Sequence, residues 1–159
     1  MFAIIGSIST CTLHPVHLAS AYIEALRFLA SRDKDEERRA QALEGLEALD
    51  ALLERDNLDE ADEALAEFVH ESAPGRFEAY CPPYVYFGSL PGDGADIGFW
   101  PDIDGLTESA NYRDGVICVP AGDEWPALAS DIDHVFEVND HGNVTLFDAR
   151  TREPLWDCV

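Results

Sequence analysis

The sequence predicts an α+β fold, with an N-terminal three-helix unit packed with a small C-terminal lobe built on an antiparallel sheet. Leucines recur at helical spacing through residues 1–75, whereas residues 76–159 are rich in glycine, proline and aromatic residues and contain short alternating apolar runs. The chain of 159 residues is 47% hydrophobic, which suffices for a folded core. We therefore expect a mainly helical lobe over residues 1–75 and an α+β lobe over residues 76–159.

Three helices are expected in the first lobe, after a short apolar strand at residues 2–8. The first runs from Pro15 to Ser31, because proline is well tolerated in a first turn. The second is expected at 35–56 and the third at 58–71, where Pro74-Gly75 signals a stop. The expected buried stripes are Leu18, Tyr22, Leu26 and Leu29 in the first helix, Leu43, Leu46, Leu49 and Leu53 in the second, and Leu58, Ala61, Leu65, Phe68 and Val69 in the third.

The second lobe is expected to contain short strands and one helix. The segment 139–143 lies between two alternating runs, which is a hairpin signal, and residues 151–154 form a second turn. Residues 134–159 are therefore predicted to form a three-stranded antiparallel meander. A glycine-rich loop is expected at 88–98. The expected strands are 84–87, 97–100, 116–119, 135–138, 144–147 and 155–158, with a helix at 102–111.

Negative charge dominates the composition and limits the classes of partner. The chain has 32 Asp plus Glu against 10 Lys plus Arg, a formal net charge of −22. Residues 1–75 carry a net charge of −10 and residues 76–159 a net charge of −12, so the excess is not an acidic tail. Such a surface repels nucleic acids and acidic membranes and attracts basic grooves on other proteins.

The termini and the cysteines indicate a compartment. The first basic residue is Arg27, so the start lacks the positive segment of a secretory signal peptide. No apolar run reaches the roughly 20 residues that span a bilayer. Cys11, Cys81, Cys118 and Cys158 lie far apart and form no CxxC pair. We expect a soluble cytoplasmic protein with free thiols.

The carboxylates of the third helix form the predicted binding surface. Glu60, Glu63, Glu67 and Glu71 follow helical spacing, and consecutive members rise about 5–6 Å along the axis. One DNA strand offers a charge every ~3.4 Å, so two adjacent helical stripes come close to its charge density. The second helix would supply the neighbouring stripe. The predicted partner-binding residues are Glu44, Glu47, Glu60, Glu63, Glu67, Glu71, Asp93, Asp96, Asp102 and Asp104.

Metal binding is the weaker interpretation of three short motifs. Cys11, His14 and His17 have the residue types of zinc ligands, but no fourth ligand is adjacent and the histidines also suit a helix start. The segments 92–96 and 102–105 carry fragments of calcium-loop patterns, and each is equally a plain turn. The sequence therefore predicts no metal and no cofactor.

Catalysis is also the weaker interpretation of the second lobe. Asp133-His134 and Asp140-His141 could supply an acid/base pair, and a cysteine of this lobe could act as a nucleophile. Neighbours on a strand point to opposite faces, however, and residues 139–142 suit a tight turn. Trp100, Trp125 and Trp156 are expected in the core of the sheet, or as interface anchors if exposed. We expect no enzymatic activity.

Three segments carry a family resemblance. Residues 92–101, 138–144 and 155–159 resemble a small acidic domain of uncharacterised proteins from bacterial phages and plasmids, over about residues 80–159. That resemblance implies a mobile-element setting and brings no catalytic residues. Acidic phage and plasmid proteins of this size include anti-CRISPR and anti-restriction inhibitors, several of which mimic nucleic acid.

Charge and resemblance together favour an inhibitory binding protein. We expect it to occupy the nucleic-acid-binding groove of a basic protein or complex of the host, with carboxylates in place of phosphates opposite Arg and Lys. Two alternatives remain open. One is a non-catalytic adaptor protein of a mobile element, whose charge serves solubility only. The other is a small metal-dependent or cysteine enzyme in the second lobe.

Overall fold

A computed structural model describes residues 5–55 and 58–158, with the side chains of 58–61 outside the described set. Helices combine with a three-stranded antiparallel sheet and a four-stranded mixed sheet, which confirms the mixed helix-and-sheet class. The chain forms two compact units. The helical unit comprises Gly6–Cys81 and Phe87–Trp100. The sheet unit comprises Pro82–Tyr86, residues 101–158 and, at the described start of the chain, Ile5. These units differ from the predicted division after residue 75.

The helical unit begins with strand β1 (Gly6–Ser9) and helix α1 (Pro15–Arg32). The expected stripe Leu18, Tyr22, Leu26 and Leu29 is buried along α1, as its spacing of three and four predicts. Helices α2 (Glu36–Leu53) and α3 (Leu58–Glu67) follow and pack on α1 and on each other. Among the described helices, none is long and apolar enough to cross a membrane.

The buried stripe of α2 differs from the predicted one. Leu46 and Leu49 are buried as expected, but Leu43 is 43% exposed and Leu53 is 39% exposed. The small residues Ala42 and Gly45 take the inner positions instead. A side-chain carbon on Gly45 would lie 2.8 Å from Cδ of Arg76, so glycine leaves room for that arginine. The leucine spacing therefore predicted the wrong buried face for α2, because small residues form the closely packed side of this helix.

The predicted stop at Pro74-Gly75 is wrong. The chain continues from α3 through a π-helical turn (Phe68–Ser72) into helix α4 (Ala73–Glu78). In the π turn, the N–H of Ala73 donates to the carbonyl of Phe68, five residues back. Pro74 then falls in the first turn of α4, where a missing N–H costs no helical hydrogen bond.

The predicted glycine-rich loop is mostly strand. Strands β2 (Val85–Leu90) and β3 (Asp93–Pro101) are joined by Pro91-Gly92, and the sheet order is β1-β3-β2. Gly92 has a φ of 90°, which suits a tight turn and strains other residues. β1 pairs antiparallel with β3, with Gly6 opposite Phe99. Glycine composition alone predicted a loop, whereas the turn needs only one glycine.

An aromatic cluster forms the centre of the helical unit. Phe77 of α4 is fully buried and stacks on Phe87 of β2, with ring centroids 4.4 Å apart. Tyr22 of α1 and Phe99 of β3 meet Phe77 edge to face, at 5.0 and 6.1 Å. Burial raises the pKa of Tyr22 to about 12. The cluster joins α1 and α4 to the three-stranded sheet.

The sheet unit contains helix α5 (Ile103–Tyr112) and strands β4 (Val116–Pro120), β5 (His134–Val138), β6 (Val144–Asp148) and β7 (Pro154–Cys158), in the order β4-β5-β6-β7. The predicted meander is confirmed, because β5, β6 and β7 pair antiparallel in sequence. The predicted all-antiparallel sheet is wrong, since β4 runs parallel to β5. The long connection 121–133 permits this crossover.

Two apolar clusters cover the opposite faces of this sheet. Leu106 of α5 packs with Phe136 and Trp156 on one face, whereas Val135 packs with Trp125 and its neighbours on the other. The indole N–H of Trp156 donates to the carbonyl of Pro83 at 2.8 Å. That of Trp125 donates to Glu137 Oε1 at 2.7 Å. The core interpretation of these two tryptophans is therefore confirmed.

A partly buried ion pair joins α1 to α2. Asp33 accepts hydrogen bonds from Nε and Nη2 of Arg38, at 2.5 and 2.8 Å, and its side chain is 7% exposed. These bonds, above all other contacts, hold the pKa of Asp33 well below its ordinary value of 3.8. The backbone N–H of Asp35 donates to the same carboxylate, so Asp33 also shapes the turn.

Asp33→Asn is expected to lower stability at neutral pH by about 1–2 kcal/mol, because a charge-assisted pair becomes a neutral one. The depressed folded-state pKa means that the contribution is fully present above the unfolded pKa of about 4 and is lost progressively as pH falls from there through the lower folded-state pKa. Urea unfolding should therefore separate the two proteins at pH 7, and the difference between them should shrink progressively as pH falls below about 4. The exposed pair of Arg27 and Asp50, 3.7 Å apart, supplies the control: Asp50→Asn should change stability by under about 0.5 kcal/mol. A constant difference across pH would contradict this role for Asp33.

Candidate acidic binding surface

Five predicted glutamates lie exposed on the helical unit. Glu44 and Glu47 are on α2, Glu63 and Glu67 are on α3, and Glu71 is in the π turn. We call these five residues the acidic face. Glu60 belongs to the same predicted stripe, but its side chain lies outside the described residues. Helices α2 and α3 pack on each other within the helical unit.

The outward side of α2 carries more acid than the sequence prediction included. Glu36, Glu47 and Glu54 are exposed and share one side of the helix, because their spacings of 11 and 7 residues are near whole numbers of turns. Leu43 lies on that side between Glu36 and Glu47. The prediction did not include Glu36, although the sequence shows that it directly follows Asp35, a suitable N-cap residue. The result is a carboxylate stripe with one apolar contact point.

Two arginines of the helical unit, Arg38 and Arg76, are engaged mainly by groups other than the acidic face. Arg38 pairs with Asp33 and lies 5.2 Å from the Tyr80 ring centre. Arg76 donates to the carbonyl of Ser72, lies over the Phe68 ring and reaches only Glu44 of the acidic face, at 3.6 Å. Within the described part of the chain, no cation lies within 4.0 Å of the carboxylates of Glu47, Glu63, Glu67 or Glu71.

The π turn changes the geometry of the predicted stripe. Glu63 and Glu67 lie four residues apart on a regular α-helix, about 6 Å along its axis. Glu71 follows through the wider π turn, so it does not continue that row at α-helical phase. The expected four-residue row is therefore straight only as far as Glu67, because pattern reasoning assumed 3.6 residues per turn throughout.

The four predicted aspartates do not form one group. Asp93 and Asp96 belong to the helical unit, and Asp102 and Asp104 to the sheet unit. Asp93 accepts from the N–H of Ala95 at 3.1 Å within the β2–β3 hairpin. One carboxylate oxygen of Asp96 is buried without a hydrogen-bond partner, so this residue is not an open surface charge. Asp104 is exposed in the first turn of α5.

Asp102 has a structural role at the start of α5, where the sequence predicted a helix to begin. Its Oδ1 accepts from the N–H of Gly105 at 2.9 Å as the N-cap of α5. Asp102→Ala is expected to cost about 1 kcal/mol in thermal or urea unfolding, whereas Asp102→Asn should keep the cap and cost little. Equal losses in the two variants would show that the charge, and not the cap, is what stabilises α5.

The described residues do not gather into a metal site, and the Asp140-His141 pair lies in the open. Across residues 5–55 and 58–158, apart from the side chains of 58–61, no group of three or more His, Cys, Asp or Glu is placed to hold a metal ion. His17 Nδ1 lies 3.4 Å from the Thr12 hydroxyl, and the rings of His14 and His17 are 5.1 Å apart at the start of α1. His141 lies 3.6 Å from Asp140 in an exposed hairpin turn.

Two cysteine thiols of the second half, Cys81 and Cys118, have raised pKa values. The four cysteines are free, and Cys11 and Cys118 are exposed. Burial raises the pKa of the Cys81 thiol to about 11, with the Glu78 carboxylate adding to the effect. Burial also raises the pKa of Cys118. Since the thiolate is the reactive form, these raised pKa values disfavour a nucleophilic role for the two side chains at neutral pH.

No family model, no curated protein and no solved structure matches this chain. The resemblance of residues 80–159 to phage and plasmid proteins therefore stays a prediction. The features of the structure that bear on function are the exposed carboxylates, the packed helices that carry them and the two arginines engaged elsewhere.

Proposed function

We propose that this chain is an acidic inhibitory binding protein that occupies the nucleic-acid-binding groove of a host defence complex, of the anti-CRISPR or anti-restriction type. The supporting observation is the acidic face, in which carboxylates on packed helices lie exposed and, as far as the described residues extend, Glu47, Glu63, Glu67 and Glu71 have no cation within 4.0 Å. Solvated carboxylates without partners are available to pair with the Arg and Lys side chains of such a groove.

Geometry supports mimicry of one nucleic-acid strand. Glu63 and Glu67 are separated by about 6 Å along α3, and packed helices lie about 8–10 Å apart, so two helices together approach the charge spacing of a strand. The partner's long-range field would steer the chain into the groove, and Leu43 would supply an apolar contact once docked. The mechanism requires no chemical step.

Mutual exclusion with nucleic acid tests the proposal. Purified bacterial guide-RNA effector complexes and restriction enzymes are incubated with labelled duplex DNA and increasing amounts of this chain. At about 50 mM salt the chain should displace the DNA from its target, and the displacement should weaken strongly by about 500 mM because exposed charge pairs are screened. Simultaneous binding of DNA and chain to each complex that binds the chain would contradict mimicry.

A further inference from the structure

A groove lies beside the four-stranded sheet in the sheet unit. It encloses about 560 Å³, a size typical of sites for small molecules. Its lining comes from residues 110–113 at the end of α5, from Ile117 and Cys118 of β4, and from residues 126–132 of the connection to β5. The lining residues therefore all belong to one compact unit.

Part of the groove lining is apolar and continuous with the core. Ile117, Leu128 and Ile132 line the groove, and all three are half-buried. They pack against the buried cluster that contains Val135. Because this cluster holds part of each side chain, the part that remains exposed forms a fixed apolar surface. An apolar group of a ligand would remove that surface from water.

Two opposite charges line the same groove. Arg113 and Asp131 are the charged residues among those that line it. Within the described part of the chain, no carboxylate lies within 4.0 Å of the Arg113 guanidinium, and no cation lies within 4.0 Å of the Asp131 carboxylate. This holds although Glu108 and Asp114 line a second groove together with Arg113. Both charges are therefore available to a ligand.

Arg113 occupies a backbone position that normally suits glycine. It ends α5 in the left-handed conformation, with a φ of 54°. Its N–H donates to the Ala110 carbonyl at 3.2 Å, and the next N–H, of Asp114, donates to the Ser109 carbonyl at 2.8 Å. These two bonds form a Schellman motif, in which glycine is the usual residue. An arginine here strains the backbone, and such strain is concentrated at functional sites.

We propose that this groove binds a small zwitterion with an apolar body, either an apolar amino acid or a short apolar peptide with free termini. Its carboxylate would pair with Arg113 and its ammonium with Asp131. Its apolar side chain would cover Ile117, Leu128 and Ile132. This site does not rest on the proposed nucleic-acid mimicry.

The charge of the sheet unit favours a ligand without net charge. The unit carries 13 Asp plus Glu against 3 Arg, so its field repels ligands that are anionic overall. A simple amine would leave the guanidinium of Arg113 without a partner in the groove. A zwitterion avoids the repulsion and pairs with both of the charged residues that line the site.

Chemical blocking of either end of the ligand tests the two polar contacts. The probes are L-leucine and the tripeptide Leu-Ala-Leu, titrated into the full chain and followed by NMR at about 150 mM salt. At least one should bind with a Kd below about 1 mM, and the probe that binds identifies the source that fits the groove. Amidation of its carboxylate and acetylation of its ammonium should each weaken binding at least about tenfold, because each removes a charge-assisted hydrogen bond. Absence of binding by both probes, or equal binding by a blocked probe, would overturn the proposal.

Substitutions of the two charged residues assign each contact. Arg113→Gly should bind the probe at least about tenfold more weakly, and amidation should then have no further effect, whereas acetylation should still weaken binding. Asp131→Asn should show the reverse pattern. Arg113→Gly should also unfold at an equal or higher temperature, because glycine relieves the left-handed backbone, so its weaker binding would not reflect unfolding.

The matched controls carry the same changes in charge outside the groove. Arg150 and Asp157 are exposed in the sheet unit and do not line the groove. Arg150→Gly and Asp157→Asn should therefore bind the probe as the wild type does. An amidation effect that persists in Arg113→Gly, or an equal loss of binding in Arg150→Gly, would overturn the proposal.

Discussion

Reversal of Glu47, Glu63 and Glu67 to Lys is expected to weaken binding to the target complex by about a hundredfold or more. Each residue is exposed, and none has a cation within 4.0 Å in the described structure. Reversal removes three attractive contacts and places lysines against the basic groove, and like-charge contacts across an interface cost several kcal/mol. Binding is measured by competition with labelled DNA or by calorimetry at constant salt.

The matched control carries the same change in net charge on the other unit. Glu124, Glu153 and Asp157 are exposed in the sheet unit, and their reversal to Lys should weaken binding by under about fivefold through the long-range field alone. Circular dichroism should show both triple variants folded, because all six side chains are exposed and surface substitutions usually change stability by under about 0.5 kcal/mol each. Equal losses in the two variants would mean that net charge, and not the acidic face, governs binding. No loss in either would favour the adaptor protein whose charge serves solubility.

Phe77→Ala is expected to destabilise the helical unit by about 3–5 kcal/mol. Phe77 is fully buried, and its ring meets those of Tyr22, Phe87 and Phe99. Truncation leaves a cavity among aromatic rings that are held by helices and strands, so the site cannot close easily. A loss of this size is a large part of the 5–15 kcal/mol typical of a domain.

Urea unfolding followed by circular dichroism measures that loss, with Leu43→Ala as the control. Leu43 is 43% exposed, so its truncation should cost under about 1 kcal/mol. Similar costs for the two variants would contradict the placement of Phe77 at the centre and Leu43 at the surface. Because Leu43 lies in the acidic stripe of α2, the same variant also reports whether an apolar contact contributes to binding.

Local patterns predicted the elements that depend on local physics. The stripe of α1 and the meander of β5, β6 and β7 were readable because apolar period and turn residues agree there. Pro74 was predicted to end the third helix because no local sequence pattern indicates a π turn. The parallel pairing of β4 with β5 was missed because residues 121–133 carry no helix, the usual sign of a crossover.

The candidate surface was predictable in part. Exposure of Glu44, Glu47, Glu63 and Glu67 followed from helical spacing. The exposure of Leu43 did not, because the inner position of α2 is a glycine that accommodates Arg76 from another helix. The pairing of Arg38 with Asp33 and of Arg76 with Glu44 could not be predicted from the sequence either, because it depends on the folded structure.

Footprinting of carboxylates tests directly whether the acidic face is the binding surface. The free chain and its complex with a captured target are treated with carbodiimide and an amine, and the modified residues are identified by mass spectrometry. Glu47, Glu63 and Glu67 should react readily in the free chain and be protected in the complex, while Glu153 and Asp157 react equally in both. Protection confined to the sheet unit, with these three glutamates still reactive in the complex, would contradict nucleic-acid mimicry by the helical unit.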